Sequence, residues 1–290
     1  MNRSIPSTAK SAAAPLRSFF EAVRAWWQAF GYMNRQGLRH YHFSGAAILG
    51  LITWAGFGLS GWLTERLRAF MGGFLNALGF DADSPEAPSD TWWSEALLWA
   101  SSALEWMLEW GGILLVLWLK VKLTKYLLLT LMAPFMSAIA GAVRERETGN
   151  AMPFSLGQMM RDLIRGIRTA AILLAVEIAL TLMLYLTGLV LAIFTGPLAI
   201  LLSPLVLILG WMVGAYFYGA AVFDAVYEQA GLNWRNSLRT GWKDRYRLLG
   251  IGAVFSMLLT IPGIGVFLAT FMGPMPCTVA AARLTFSTRP

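Results

Sequence analysis

Long uncharged apolar runs alternate with short polar groups along this chain, and the length of each run predicts an element. From Pro15 to Met33, Phe19, Val23, Trp26 and Phe30 recur at helical spacing, with Arg17, Glu21, Arg24 and Gln28 on the other side. That pattern predicts an interfacial helix with its aromatics at the headgroup level. Packing on another domain fits less well, because the chain has little soluble domain to receive it. Residues 43–63 are uncharged and long enough to span, and their many glycines let another helix approach closely.

Residues 110–149 read as one long helix. At about 1.5 Å per residue it exceeds a hydrocarbon core of roughly 30 Å, so it must tilt, bend or project. Pro134, which lacks an N–H and crowds the preceding turn, is where a kink is expected. Between Arg168 and Asp224 the only acidic or basic residue is Glu177, while Gly188, Gly196, Pro197 and Pro204 interrupt the run. Two spanning helices and a re-entrant hairpin both fit, with the uncharged turn leaning towards the hairpin. The last block, 248–282, is split by IPGIG at 261–265 and GPMP at 273–276. Its arms are shorter than the roughly 17 residues a crossing needs, which predicts a half-membrane hairpin.

Composition agrees with an integral membrane protein: 57% of residues are hydrophobic, 13% are charged against about a quarter in soluble domains, and mean hydropathy is +0.57. The net charge of +7 sits in short groups at the ends of apolar runs, which points to topology signals and anionic lipid or small anions rather than nucleic acid. Arg3, Lys10, Arg17, Arg24, Arg35 and Arg39 face only Glu21 before the first run. Residues 64–109 instead hold eight acids against Arg66 and Arg68, so the N-terminus is expected in the cytoplasm and the acidic loop outside. Trp92, Trp93, Trp99, Trp106 and Trp110 suit an outer interfacial belt. The organisation expected is an unstructured, uncleaved start over 1–14, one helical membrane domain over 15–284 and a tail over 285–290.

Three groups of residues carry candidate chemistry. Gly37, Leu38, Arg39 and His40 stand at the entrance to the first span, where helix-start amides and a forked guanidinium are the parts of a tetrahedral-oxyanion site; anchoring of the helix end to lipid phosphate is the plainer alternative. Lys120, Lys122 and Lys125 lie within an apolar helix. Lys122 and Lys125 fall about 60° apart and Lys120 points away, so part of the set lines a pathway or all three reach an interface. Arg144, Glu145, Arg146 and Glu147, with Arg161, Asp162, Arg165 and Arg168, form either a charged vestibule or a solvated network. Glu177 reads as a proton carrier or as an acid satisfied by a neighbouring hydroxyl. His40 and His42 diverge on a helix, Cys277 is the single cysteine, and no nucleophile motif, phosphate loop or dinucleotide fingerprint appears. Neither an enzyme nor a metal or cofactor is expected.

GLR at 37–39, LMAPFMSAIAGAVRERETG at 131–149, RDLIRGIR at 161–168, YGAAVFDAVYEQAG at 218–231 and the closing FSMLLTIPGIGVFLATFMGPMPCTVAAARL together resemble the CysZ-type sulfate permeases and the wider etoposide-induced-protein domain family. The resemblance runs over about residues 19–284. It implies an all-α protein of the bacterial inner membrane, with two long transmembrane helices, re-entrant half-membrane hairpins and an N-terminal interfacial helix. It further implies a homo-oligomer that passes sulfate for cysteine synthesis, with an anion site on Gly37, Leu38 and Arg39. The chain departs from the family at His40, where a second Arg is usual, so the anion would lose a fixed charge above neutral pH. It departs again at Gly141 and Arg144, where acids are usual, and at the three lysines. A non-transporting, membrane-shaping or partner-binding protein of the same fold is the alternative.

Overall fold

The computed structural model describes residues 14–41, 43, 47–48, 50, 65–66, 69, 73, 92–149, 156–196, 199–261 and 264–287. The expected first span at 43–63 lies almost wholly outside the described residues, as do most of residues 64–91, the start expected to be unstructured and the end of the tail. The last part of the expected acidic loop, 92–109, is helical, so the long helix begins before the expected residue 110. Every regular element among the described residues is helical. The chain divides into two compact units, one of Met1–Leu49 with Tyr126–Pro290 and one of Gly50–Lys125.

Helix α1 (Ala14–Arg35) exposes the polar face its periodicity predicts, Arg17, Glu21, Arg24 and Gln28, but of the predicted apolar positions only Trp26 is buried; Phe19, Val23 and Phe30 are half-buried, and the buried side is completed by Ala22, Ala25, Ala29 and Met33. Its apolar face, however, lies on protein. It packs against two C-terminal helices, α6 (Arg245–Leu259) and α8 (Pro274–Phe286), and Trp26 Nε1 donates to the Met272 carbonyl at 3.0 Å. The large apolar side chains that α1 leaves exposed are a different set, Leu16, Phe20 and Trp27. The reason is topological: the chain's end returns to its beginning and supplies the receiving surface.

Helix α2 (Trp92–Thr148) is 57 residues long and continues on both sides of Pro134. Its last part packs on α3 (Leu156–Thr195) closely enough that a Cβ on Gly166 would stand 2.5 Å from that of Ala133. Helix α3 has 40 residues and α4 (Ala199–Gln229) has 31, with Pro204 in its second turn. Three stretches are long and apolar enough to cross a bilayer: Val121–Thr148, Met160–Ala192 and Leu201–Gln229. For 169–223, where the breaks and the uncharged turn lean towards a re-entrant hairpin, the two arms have apolar stretches of 33 and 29 residues, each long enough for a crossing. Only 22% of the apolar stretch of α3 and 33% of that of α4 is buried, leaving Val176, Leu180, Met183, Leu186, Leu189 and Phe194 among the exposed side chains. Apolar area on that scale does not stand in water; this is a helical membrane protein.

The C-terminal block breaks at the two places its glycines and prolines predict. Helices α6, α7 (Gly265–Met272) and α8 have 15, 8 and 13 residues, each too short to span. Between α4 and α6 runs α5 (Trp234–Lys243), capped by Asn233, whose side chain accepts from the Asn236 amide at 2.9 Å. Helix α8 is buried from Pro274 to Ala282, in keeping with its small and apolar surface on all sides. Helices α4 and α6 meet at backbone contact: a Cβ on Gly252 would fall 1.7 Å from the Ala215 carbonyl oxygen, and one on Gly219 1.9 Å from that of Leu248. Tyr218 and Phe255 stack beside this crossing, with ring centroids 3.5 Å apart.

Candidate functional site

Helix α1 ends in a left-handed residue, Gly37 (φ +70°), followed by Leu38, whose amide donates to the Met33 carbonyl at 2.9 Å. The Gly37 amide turns back towards Asn34 O at 3.5 Å, and Leu38 and Met33 are both buried. This is a Schellman cap with its usual apolar contact. It corrects one expectation: the Leu38 amide is engaged by the preceding helix and is not a donor for an anion. The amides of Arg39 and His40 have no backbone acceptor among the described residues.

Arg39 is exposed, its Nε donating to Asn34 Oδ1, and its Nη groups have no further partner among the described residues. His40 is exposed as well, with Nδ1 3.2 Å from the Gly37 carbonyl oxygen. A second guanidinium arrives from far along the chain. Arg146, near the end of α2, donates through Nη2 to the Gln36 carbonyl at 3.0 Å and through Nη1 to that of Ala142 at 3.1 Å. Its field reaches two tyrosines. Burial raises the Tyr41 hydroxyl pKa and Arg146 opposes the rise. Burial, and after it the Glu147 carboxylate, pushes Tyr32 up to about 12 against Arg146 and Arg283. The Arg283 guanidinium lies over the Tyr32 ring at 4.9 Å, and its Nε is 3.9 Å from Glu147 Oε1. Arg39 and His40 are exposed on the turn and Arg146 touches it through the Gln36 carbonyl, while Tyr32, Glu147 and Arg283 brace α1 to α2 and α8.

Arg144 does not join this group. Two positions along a helix point to nearly opposite sides, and Arg144 donates to the carbonyl of Gln229 at the end of α4. Gln229 Nε2 donates to Ser137 Oγ at 2.6 Å, and Ser137 donates to Asp162 Oδ2 at 2.6 Å. Glu145 is exposed. The charged residues of 144–168, for which the sequence leaves a vestibule and a solvated network both open, fall into three groups: Arg146 serves the turn, Arg144 and Asp162 a buried polar chain, and Arg165 a third cluster. There Asp224 accepts from Arg165 at 3.1 Å, Thr169 at 3.0 Å and Ser237 at 2.5 Å, while Glu228 lies 3.5 Å from Arg165. Sequence reasoning missed this cluster's partners, and the acids of the YGAAVFDAVYEQAG stretch at the end of an apolar run were the available signal.

Of the three lysines, Lys122 holds its ammonium 5.5 Å from the Trp118 ring centroid and Lys125 is buried; the side chain of Lys120 lies outside the described residues. They belong to the Gly50–Lys125 unit, and Gly37–His40 to the other. Glu177 is fully buried and accepts from Tyr126 Oη at 2.5 Å, the hydroxyl partner that an interior acid requires. No group of three potential metal ligands occurs among the described residues.

Comparison with curated proteins finds no match for the chain. Over residues 25–269, however, it matches the family described as sulfate transporter CysZ/Etoposide-induced protein 2.4, a stretch that includes the capped turn, Arg146, the three long helices α2, α3 and α4 and the first break of the C-terminal block. On that span the chain belongs to the sulfate transporter CysZ/Etoposide-induced protein 2.4 family.

Proposed function

We propose that the protein passes sulfate, or another small divalent oxyanion, across the bacterial inner membrane into the cytoplasm, and that the turn after α1 holds the anion at the cytoplasmic mouth. The observation that carries this reading is the meeting of Arg146 with the turn of Arg39 and His40, residues 110 positions apart between Gln36 and Arg146. Two guanidiniums and two helix-start amides around one exposed turn match the donors a tetrahedral dianion seeks. Gly37 shapes the turn, and Leu38 anchors it by burial. The surplus of basic over acidic residues before residue 43 supports a cytoplasmic N-terminus. The lysines of α2 would lower the barrier for an anion further in, and a homo-oligomer would enclose the route.

Labelled sulfate uptake into reconstituted vesicles tests the proposal. Wild-type protein should admit sulfate faster than protein-free vesicles. Arg39→Ala should weaken binding roughly tenfold to a hundredfold, the loss of charge-assisted hydrogen bonds worth about 1.5–3 kcal/mol. Arg146→Lys, which keeps charge but not the fork, should also impair uptake. An impermeable wild type would favour the membrane-shaping alternative, and unchanged uptake in both variants would remove the turn from the mechanism.

A further inference from the structure

A cavity of about 380 Å³ opens between α3, the end of α4 and α5, sharing no residue with the turn after α1. Arg161, Arg165 and Arg168 line it from one face of α3, at spacings of four and three residues, which place side chains in a row. Arg165 is held by Asp224 and Glu228, and the Asp224 oxygens already accept from Arg165, Thr169 and Ser237. Neither Arg161 nor Arg168 has an acidic partner among the described residues, and both are exposed. Arg168 lies 4.9 Å from the Trp234 ring centroid, and Arg235 approaches the same ring at 5.3 Å, so one indole gathers two cations.

The rest of the wall is oily. Ile164, Ile172 and Leu238 border the cavity, and all three are exposed. Helix α5 adds an amphipathic strip with Leu238 and Trp242 exposed beside Arg235, Arg239 and Lys243. A small, strongly hydrated dianion gains nothing from such a wall. A molecule with a negatively charged phosphate at one end and hydrocarbon at the other matches both parts, and basic pockets beside spanning helices, next to an interfacial tryptophan, suit that chemistry.

We propose that this cavity binds an anionic phospholipid, its headgroup phosphate at Arg161 and Arg168 and its chains along Ile164, Ile172 and Leu238. The lipid would occupy the join between α3 and α5 and hold α5 at the membrane surface. Native mass spectrometry of the purified full-length protein, with phosphatidylglycerol against phosphatidylcholine of the same chains, tests it. Wild type should retain phosphatidylglycerol preferentially. The doubly substituted Arg161→Gln, Arg168→Gln protein should hold it roughly 30-fold less well, the effect of two basic side chains at a membrane surface, whereas Arg239→Gln should change little. Inorganic phosphate should not displace the lipid. Equal retention of the two lipids, or undiminished retention by the double variant, overturns the proposal. Displacement by inorganic phosphate overturns it too, in favour of a free-anion site. If the double variant does not fold, the wild-type contrast between the two lipids decides the matter.

Discussion

Arg144 and Arg146 stand two positions apart on one helix, yet one binds the end of α4 and the other the turn after α1. Their sequence shows a charge cluster; only helical geometry shows that it must split. Gly37 carries a similar lesson. Its place before Arg39 suggests a glycine that admits a ligand, whereas the Asn34-Arg35-Gln36-Gly37 ending is also a helix C-terminal signal, and the φ of +70° with the Leu38-to-Met33 hydrogen bond shows the cap. Replacing Gly37 with Ala should cost about 1 kcal/mol through the left-handed backbone, read as a lower melting temperature in detergent. Open space surrounds the added methyl, so the loss should come from conformation rather than collision.

For the elements, helical periodicity made α1 legible, and apolar run length with glycine or proline punctuation the latter part of α2 and the breaks of the C-terminal block. What receives each face was not legible, because surfaces brought together across the whole chain leave no local period. The crossing of α4 and α6 is the clearest case: Gly219 and Gly252 sit in apolar runs where nothing local distinguishes them from other glycines. Gly219→Ala and Gly252→Ala should each destabilise by about 3 kcal/mol or more, since the obstructing atoms are carbonyl oxygens of the facing helix. Loss of the folded fraction on size-exclusion chromatography would register it. A different measurement addresses α3 and α4. With the one native cysteine, Cys277, buried, a cysteine placed at Thr195 should react with a membrane-impermeant maleimide from outside intact cells if both arms cross; protection from outside would restore the re-entrant hairpin.

At the scale of the molecule, membrane character was visible in composition, and the family resemblance in short motifs matches the span over residues 25–269. The candidate site was half visible. Arg39 and its turn could be named, but Arg146 joins them only through packing that sequence does not encode locally.

The seat of α1 on α6 and α8 has a consequence for biosynthesis. Trp26 bonds a carbonyl 246 residues downstream, and at roughly 5–20 residues per second a ribosome needs about 12 to 50 s to make that partner. Helix α1 is thus made well before the surface that receives it, and stays undocked until α6 and α8 have been synthesised. A protein stopped at Thr260, lacking α7 and α8, should leave α1 open to trypsin at Arg17 and Arg24, while the full chain cuts there more slowly.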